Sequence, residues 1–420
     1  MPNNFGIARR QFFGVLGGFA LVGASDVQEM AFPTAQAPAD YVRNGEVDWR
    51  RVREDFWFTE GLSYLNCSAM GAVPKPVFTR AVQAWQTLEA NPSDQGYGTL
   101  RQTMDDVRGQ AAHFIGCGQK ELIATNSTTD GMNIVAQGIG LSEGQRVLTS
   151  DQEHPGGREC WDYYARRYGV RIDRVTLPLQ PRSTDEILER FEARLTPDTR
   201  VISVSHITFS TGTAMPIREL SELANAHGVL CIVDGAQAVG SQSVDVKALG
   251  CHAYSTSGHK WLLGPKGTGL LYINEKARAV IDPLILQDGE NAYSEATGVR
   301  NIPGILGLGA SMEYLSVLGQ NAITKHNLSL RNLAYDGLLR LPRVRVLSPP
   351  PGPFATPLVS LSLPEGVDNR KVFSTLLKKY GIQVKLLDPD TFPRAIRISP
   401  HIYNTEEDIN RFLMAIRKEL

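Results

Sequence analysis

Val229-Leu230-Cys231-Ile232-Val233-Asp234-Gly235-Ala236-Gln237 is the stretch on which the reading of the fold turns. Five apolar residues in a row, followed at once by an acid, a glycine and an amide, read as a strand buried on both faces that surfaces at the mouth of a sheet. Comparable short runs stand at Glu121 to Ala124, Arg146 to Thr149 and Val201 to Ser205, separated by stretches of helical periodicity such as Ile217 to His227. This alternation predicts an α/β fold with a large, doubly wound, mostly parallel sheet. Open sheets of that kind bind ligands beyond the carboxyl ends of their strands, so the polar residues just after each run are the ones to weigh.

Outward from this centre the texture changes twice. Between about Asp48 and Gln110 helical patterning is interrupted by the extended Leu62-Ser63-Tyr64-Leu65 and by Asn91-Pro92-Ser93-Asp94-Gln95-Gly96-Tyr97-Gly98, which reads as a turn. After Ala310 a long helical segment, Ser311 to Leu341, leads through the turn Pro349-Pro350-Pro351-Gly352-Pro353 into a strand, helix, strand, helix order. The expected organisation is a signal and linker over 1–37 and an N-terminal arm over 38–75 that contributes to the small domain and the active site. A large domain over 76–305 and a smaller α+β domain over 306–420 complete it.

The N-terminal text is distinct: Arg9-Arg10-Gln11-Phe12-Phe13 opens an uncharged run, Phe12 to Ala24, too short to span a bilayer. It resembles a twin-arginine export signal, which implies a folded protein delivered to the periplasm or another extracytoplasmic space. Cleavage is expected after Ala24 or Ala37, the second disfavoured by Pro38. With no other long apolar run, no stable membrane anchor is expected. The 420 residues carry 43 Lys and Arg against 44 Asp and Glu, without basic tracts. That balance argues against a nucleic-acid partner and for a small ligand. Five cysteines, odd in number and without C-x-x-C spacing, exclude a disulfide framework and structural zinc, and no other metal site is expected.

Four strand ends carry the candidate chemistry. Asp234 and Gln237 follow the first run quoted. Thr125-Asn126-Ser127-Thr128-Thr129 places hydroxyls at the start of a helix, where free N–H groups and the macrodipole favour a phosphate. Asp151-Gln152-Glu153-His154 brings a histidine able to stack on a planar ring. The fourth, Ser255 to Gly269, sets Lys260 between the turn Ser257-Gly258-His259 and a glycine-rich stretch. Lysine is normally solvated; in such surroundings its amine loses its proton more readily, and a neutral amine is what forms a Schiff base.

Together Asp234-x-x-Gln237, Ser257-Gly258-His259-Lys260, Thr128-Thr129, His154 and the terminal Arg397-Ile398-Ser399-Pro400-His401-Ile402-Tyr403-Asn404 resemble the class V aminotransferase family of fold type I pyridoxal 5'-phosphate (PLP) enzymes, closest to its isopenicillin N epimerase-like branch. The resemblance runs from about Tyr64 to the C terminus. It implies a PLP-dependent transferase fold type I and a homodimer acting on an amino-acid or amino-bearing peptide-derived substrate, by transamination, epimerisation or C–S lysis. It implies that Lys260 carries PLP and moves protons, and that Asp234 pairs with the pyridine nitrogen. Gln237 would bond the ring oxygen, while Thr128, Thr129, Ser257 and His259 would hold the phosphate. Arg397 would bind a substrate carboxylate and Asn66 would lie near the substrate.

Three departures bear on the reaction. Desulfurases of the family need a nucleophilic cysteine in the C-terminal half, and this chain has none after Cys251. Phe209 stands where desulfurases show an asparagine. Val299 replaces the threonine of a Gly-Thr-Arg-Asn element that reaches the neighbouring subunit's phosphate, leaving a backbone N–H there, while Arg300 retains its charge. A nicotinamide oxidoreductase is disfavoured because no G-x-G-x-x-G follows the first strand of a βαβ unit.

Overall fold

The computed structural model describes residues 41–282, 301–387 and 395–420. The segment proposed for export, Val299 and Arg300 lie outside the described residues. The chain enters through a hairpin, β1 (Val42–Arg43) and β2 (Glu46–Val47), then α1 (Trp49–Glu54), capped by the Asp48 carboxylate, and β3 (Ser63–Tyr64). Helices α2 (Lys75–Ala90), α3 (Pro92–Tyr97) and α4 (Thr99–Ile115) follow. Helix α3 corrects the turn expected there. Asn91 accepts from the Asp94 N–H and Pro92 occupies the first turn, so residues that punctuate loops here start a helix.

The main sheet is built from β4 (Leu122–Thr125), β5 (Arg146–Ser150), β6 (Arg171–Val175), β7 (Thr199–Ser205), β8 (Leu230–Asp234), β9 (Ala253–Ser257) and β10 (Gly269–Ile273). Its order is β4-β10-β9-β8-β7-β5-β6; β10 is antiparallel to both neighbours and the remaining pairs are parallel. The direction of winding reverses beside β5, so the crevice beyond β5 and β7 is the place for a ligand. Helices α5 (Thr128–Ile139), α6 (Pro155–Tyr168), α7 (Thr184–Glu192), α8 (Ile217–Ala226) and α9 (Val246–Leu249) return the chain between strands. Each of α5, α6 and α7 starts on a side-chain cap, from Ser127, His154 and Ser183, because a strand that ends at the sheet mouth leaves the next helix's N–H groups without partners.

The expected single helix over Ser311–Leu341 is two: α10 (Ile302–Leu318) and α11 (Gln320–Leu339), bent by 79°. Gly319 takes a left-handed φ of 83°, which a side-chain-bearing residue would resist, and its N–H closes on Leu315. Helix α10 is buried almost all round within the large core, whereas Leu330, Ala334 and Leu338 of α11 belong to a second core. The bend carries the chain from one to the other. That second core underlies a sheet of order β11-β12-β15-β14, formed by β11 (Arg345–Val346), β12 (Val359–Ser362), β14 (Lys385–Leu387) and β15 (Ala395–Ile398), with α12 (Asn369–Tyr380) and α13 (Glu406–Glu419). Between them β13 (Ile382–Gln383) pairs in parallel with β3, and Leu65 of the N-terminal segment is buried in the same core. No single helix among the described residues is long and apolar enough to cross a membrane.

Candidate active site

The carboxyl ends of β4, β5, β7, β8 and β9 open on one cavity of about 250 Å³, closed on the other side by β14 and β15 of the small sheet. Lys260 reaches it from the turn after β9. That turn is fixed from beneath: the Gly71 N–H donates to the His259 carbonyl at 2.7 Å, and a Cβ on Gly71 would lie 2.0 Å from the Lys260 carbonyl oxygen. Only glycine fits there. Burial moves the Lys260 amine down to about 8 against the opposing pull of Asp234, so a usable fraction is unprotonated near neutral pH.

Asp234 ends β8. Its Oδ1 accepts from the Ala236 N–H at 2.9 Å, and α6 comes so close that a Cβ on Gly157 would sit 2.6 Å from Oδ2. Burial raises its pKa, with Lys260 pulling it down, and among the described residues no cation pairs with it directly. A buried carboxylate at a cavity wall without an ion-pair partner suits a cationic ligand atom. Behind it Glu153 is held by the hydroxyls of Ser205, at 2.5 Å, and Ser150, and burial pushes it up to about 7. The sequence shows Glu153 beside His154 but gives no sign of this pairing, which needs β5 and β7 side by side. Gln237 accepts from the Trp261 indole at 2.8 Å and donates to the Ser68 carbonyl at 3.0 Å, leaving one amide hydrogen for a ligand.

At the opposite end Thr128 heads α5, its N–H 2.9 Å and its hydroxyl 2.7 Å from the Ser257 hydroxyl. Thr129 and His259 stand beside them on the cavity wall. A helix N-terminus ringed by hydroxyls, with Lys260 close by, is an anion cradle. Burial, Lys260 and Lys266 together push His259 down to about 4, so its imidazole is neutral and can donate one hydrogen bond.

His154 accepts the Gly156 N–H at 3.0 Å and meets Phe209 edge to face, with centroids 5.0 Å apart. Desolvation and the nearby cations, Lys260 first, hold it at about 3 and thus neutral. Arg397 is 2% exposed; its Nη1 donates to the Phe209 carbonyl, its Nε has no partner, and burial lowers it to about 10. A buried guanidinium with donors to spare, lining the same cavity, has the chemistry to take a carboxylate.

The structure thus brings together Thr128, Thr129, His154, Asp234, Gln237, Ser257, His259, Lys260 and Arg397. Asn66 is not among the residues that line this cavity: it bridges Ser399 and is buried with Oδ1 unpaired, while Ser68 and Ala69 of the same segment line the wall. The arm turns just after Asn66, where Ser68 bonds the Ser399 hydroxyl through both its N–H and its Oγ. Lys385 is a cavity residue that sequence reasoning missed.

The family model for aminotransferase class V matches residues 63–412. This chain belongs to the class V aminotransferase family. It is 32% identical over 395 residues to the isopenicillin N epimerase of Amycolatopsis lactamdurans, covering 88% of this chain and 98% of that protein. It is 31% identical over 388 residues to a cysteine desulfurase of Escherichia coli, covering 85% and 93%. Among solved structures, a variant of C-DES with glycine covalently linked to its PLP cofactor shares the fold at a TM-score of 0.78 and 23% identity, covering 87% of this chain and 98% of that one. As a class V enzyme the chain is PLP-dependent, and the cavity suits the group: an anion cradle at α5, an unpaired acid at β8 and an amine between them.

Proposed function

We propose that the protein is an exported, homodimeric PLP enzyme that acts on the amino group of an amino acid or an amino-bearing, peptide-derived small molecule, by transamination or a closely related reaction. The observation that carries this reading is the meeting of Lys260, Asp234 and Arg397 in one cavity. Bound PLP supplies an electron sink that lowers the cost of breaking a bond at the amino-bearing carbon. Thr128, Thr129, Ser257 and His259 hold its phosphate, Asp234 keeps the ring nitrogen protonated, Gln237 donates to the ring oxygen and His154 stacks on the ring. Arg397 orients the substrate carboxylate through its planar fork, and Lys260 takes a proton from the reacting carbon or returns it. The exposed stripe Phe78, Val82 and Trp85 on α2, joined by Trp57, supports a second copy of the chain as partner. Arg300, and the backbone at Val299, would then serve the neighbour's phosphate.

An amino-acid and amine panel scored for keto product, ammonia, CO₂ and optical activity tests the reaction. A keto product with transfer of the amino group is expected. Epimerisation is the second reading, favoured by the 32% identity to an epimerase across nearly that protein's full length, and loss of optical activity without keto product identifies it.

Desulfuration is set aside on the cysteines. Cys67 lies under the lysine turn, its Sγ 3.7 Å from the Lys260 carbonyl, and burial pushes its thiol up to about 12, so it offers no thiolate. Cys67→Ser and Cys251→Ser should each cost on the order of 1 kcal/mol in stability and leave the specific activity of folded protein intact. Sulfide release from cysteine that vanishes in Cys67→Ser would overturn this.

Export rests on Arg9-Arg10. Residues 1–45 fused to a reporter that works only when exported folded should give activity outside the cytoplasm, and Arg9→Lys with Arg10→Lys should abolish it. An unchanged distribution removes the support for the twin-arginine route and with it the natural-product tailoring that such export suggests.

A further inference from the structure

Lys385 on β14 and Arg397 on β15 are direct register partners in an antiparallel ladder, so their side chains leave the sheet on the same face. Like charges placed directly opposite destabilise a strand pair, and a ligand anion relieves that repulsion. Both residues border the cavity, and among the described residues neither makes an ion pair with a carboxylate. Their mutual repulsion shows in the lowered pKa of Lys385, caused first by burial and then by Arg397.

One carboxylate does not account for both cations. Arg397 is sunk in the wall and committed at one nitrogen to the Phe209 carbonyl, while Lys385 stands exposed at the rim. Edge strands do carry lysines that discourage strand addition, and β14 is an edge. Lys385, however, shares the face of Arg397 and lines the cavity instead of facing away from it. The acid among the lining residues is Asp234, on the far sheet at the end of β8.

We infer that Lys385 is a second anion receptor and that the substrate carries two anionic groups: the carboxylate bound by Arg397 and a further carboxylate, or group of like charge, bound by Lys385. This rests on the reading of Arg397 given under the proposed function and narrows its substrate class to dianionic amino compounds. Asymmetric recognition follows, because the buried planar fork fixes one group and the flexible ammonium at the rim tolerates a range of lengths for the other.

Calorimetric titration of the PLP-loaded protein with succinate, glutarate and adipate, each against butyrate, valerate or hexanoate of equal length, tests it without turnover. At one length or more the diacid should bind about tenfold tighter than the monoacid. Lys385→Gln should lower the diacid to the monoacid's affinity, with near-UV circular dichroism and the visible band of bound PLP confirming an intact fold, and Lys385→Arg should keep most of the preference. A wild type without preference at any length, including one that binds neither acid, overturns the inference, as does a preference that survives Lys385→Gln. Arg397→Lys should weaken both classes of acid. If it leaves the monoacids untouched while Lys385→Gln still removes the diacid preference, it is the carboxylate reading of Arg397 that has failed, and with it the dianionic substrate, not the receptor at Lys385.

Discussion

Lys260→Ala retains no covalently attached PLP and its turnover falls by on the order of 10³-fold or more, because the same amine tethers the group and moves the proton. The wild-type protein should be yellow. Borohydride fixes the chromophore to the peptide holding Gly258-His259-Lys260-Trp261, and mass spectrometry of that peptide locates it. The fold tolerates the change, since the bonds that shape the turn, Gly71 N–H to the His259 carbonyl and Leu263 N–H to the Lys260 carbonyl, are made by backbone atoms. A wild type that stays colourless after PLP is added overturns the assignment of the lysine.

The second large effect belongs to Asp234. Asp234→Ala should lose turnover by on the order of 10²- to 10³-fold, because the ring nitrogen is no longer held protonated. Asp234→Asn is the sharper test: its amide oxygen can still accept from Ala236, so the local fold is kept and only the charge is lost. It should be nearly as poor as the alanine variant. Near-normal steady-state kinetics in either protein would mean that another acid does this work, and Glu153, two strands over in the sheet and raised to about 7, is the neighbour to examine next.

Most of the residues legible in the sequence stand at or shortly beyond a strand end, whereas Arg397, inside β15, is named by the family resemblance alone. Asp234 follows Val233 and Thr128 opens the helix after β4, so the winding rule alone predicts their meeting at the sheet mouth. His154 adds a cap signal to the same position. Lys385 has no such flag: it is one basic residue on a three-residue edge strand, and its meaning arises only from register with Arg397, twelve residues further along the chain. Asn66 enters the expected site through the family resemblance alone, and the residues of its segment that line the cavity are Ser68 and Ala69, two and three positions on. The break at Gly319 was hidden because apolar periodicity continues through it; two cores, not one, supply that periodicity.

The contact of Gly71 with the lysine turn has a kinetic consequence. Residues 71 and 260 are far apart in the chain, and closing so long a loop is entropically costly and slow compared with forming local helices. The large sheet can assemble its strand order without the arm, yet the Lys260 turn acquires its underside only when the Ser63–Gly71 segment docks between Ser399 and His259. Competence to capture PLP therefore matures late, and the appearance of colour during refolding should trail the recovery of secondary structure. The arm acts as the last latch, making cofactor uptake a report that the whole chain has reached its final arrangement.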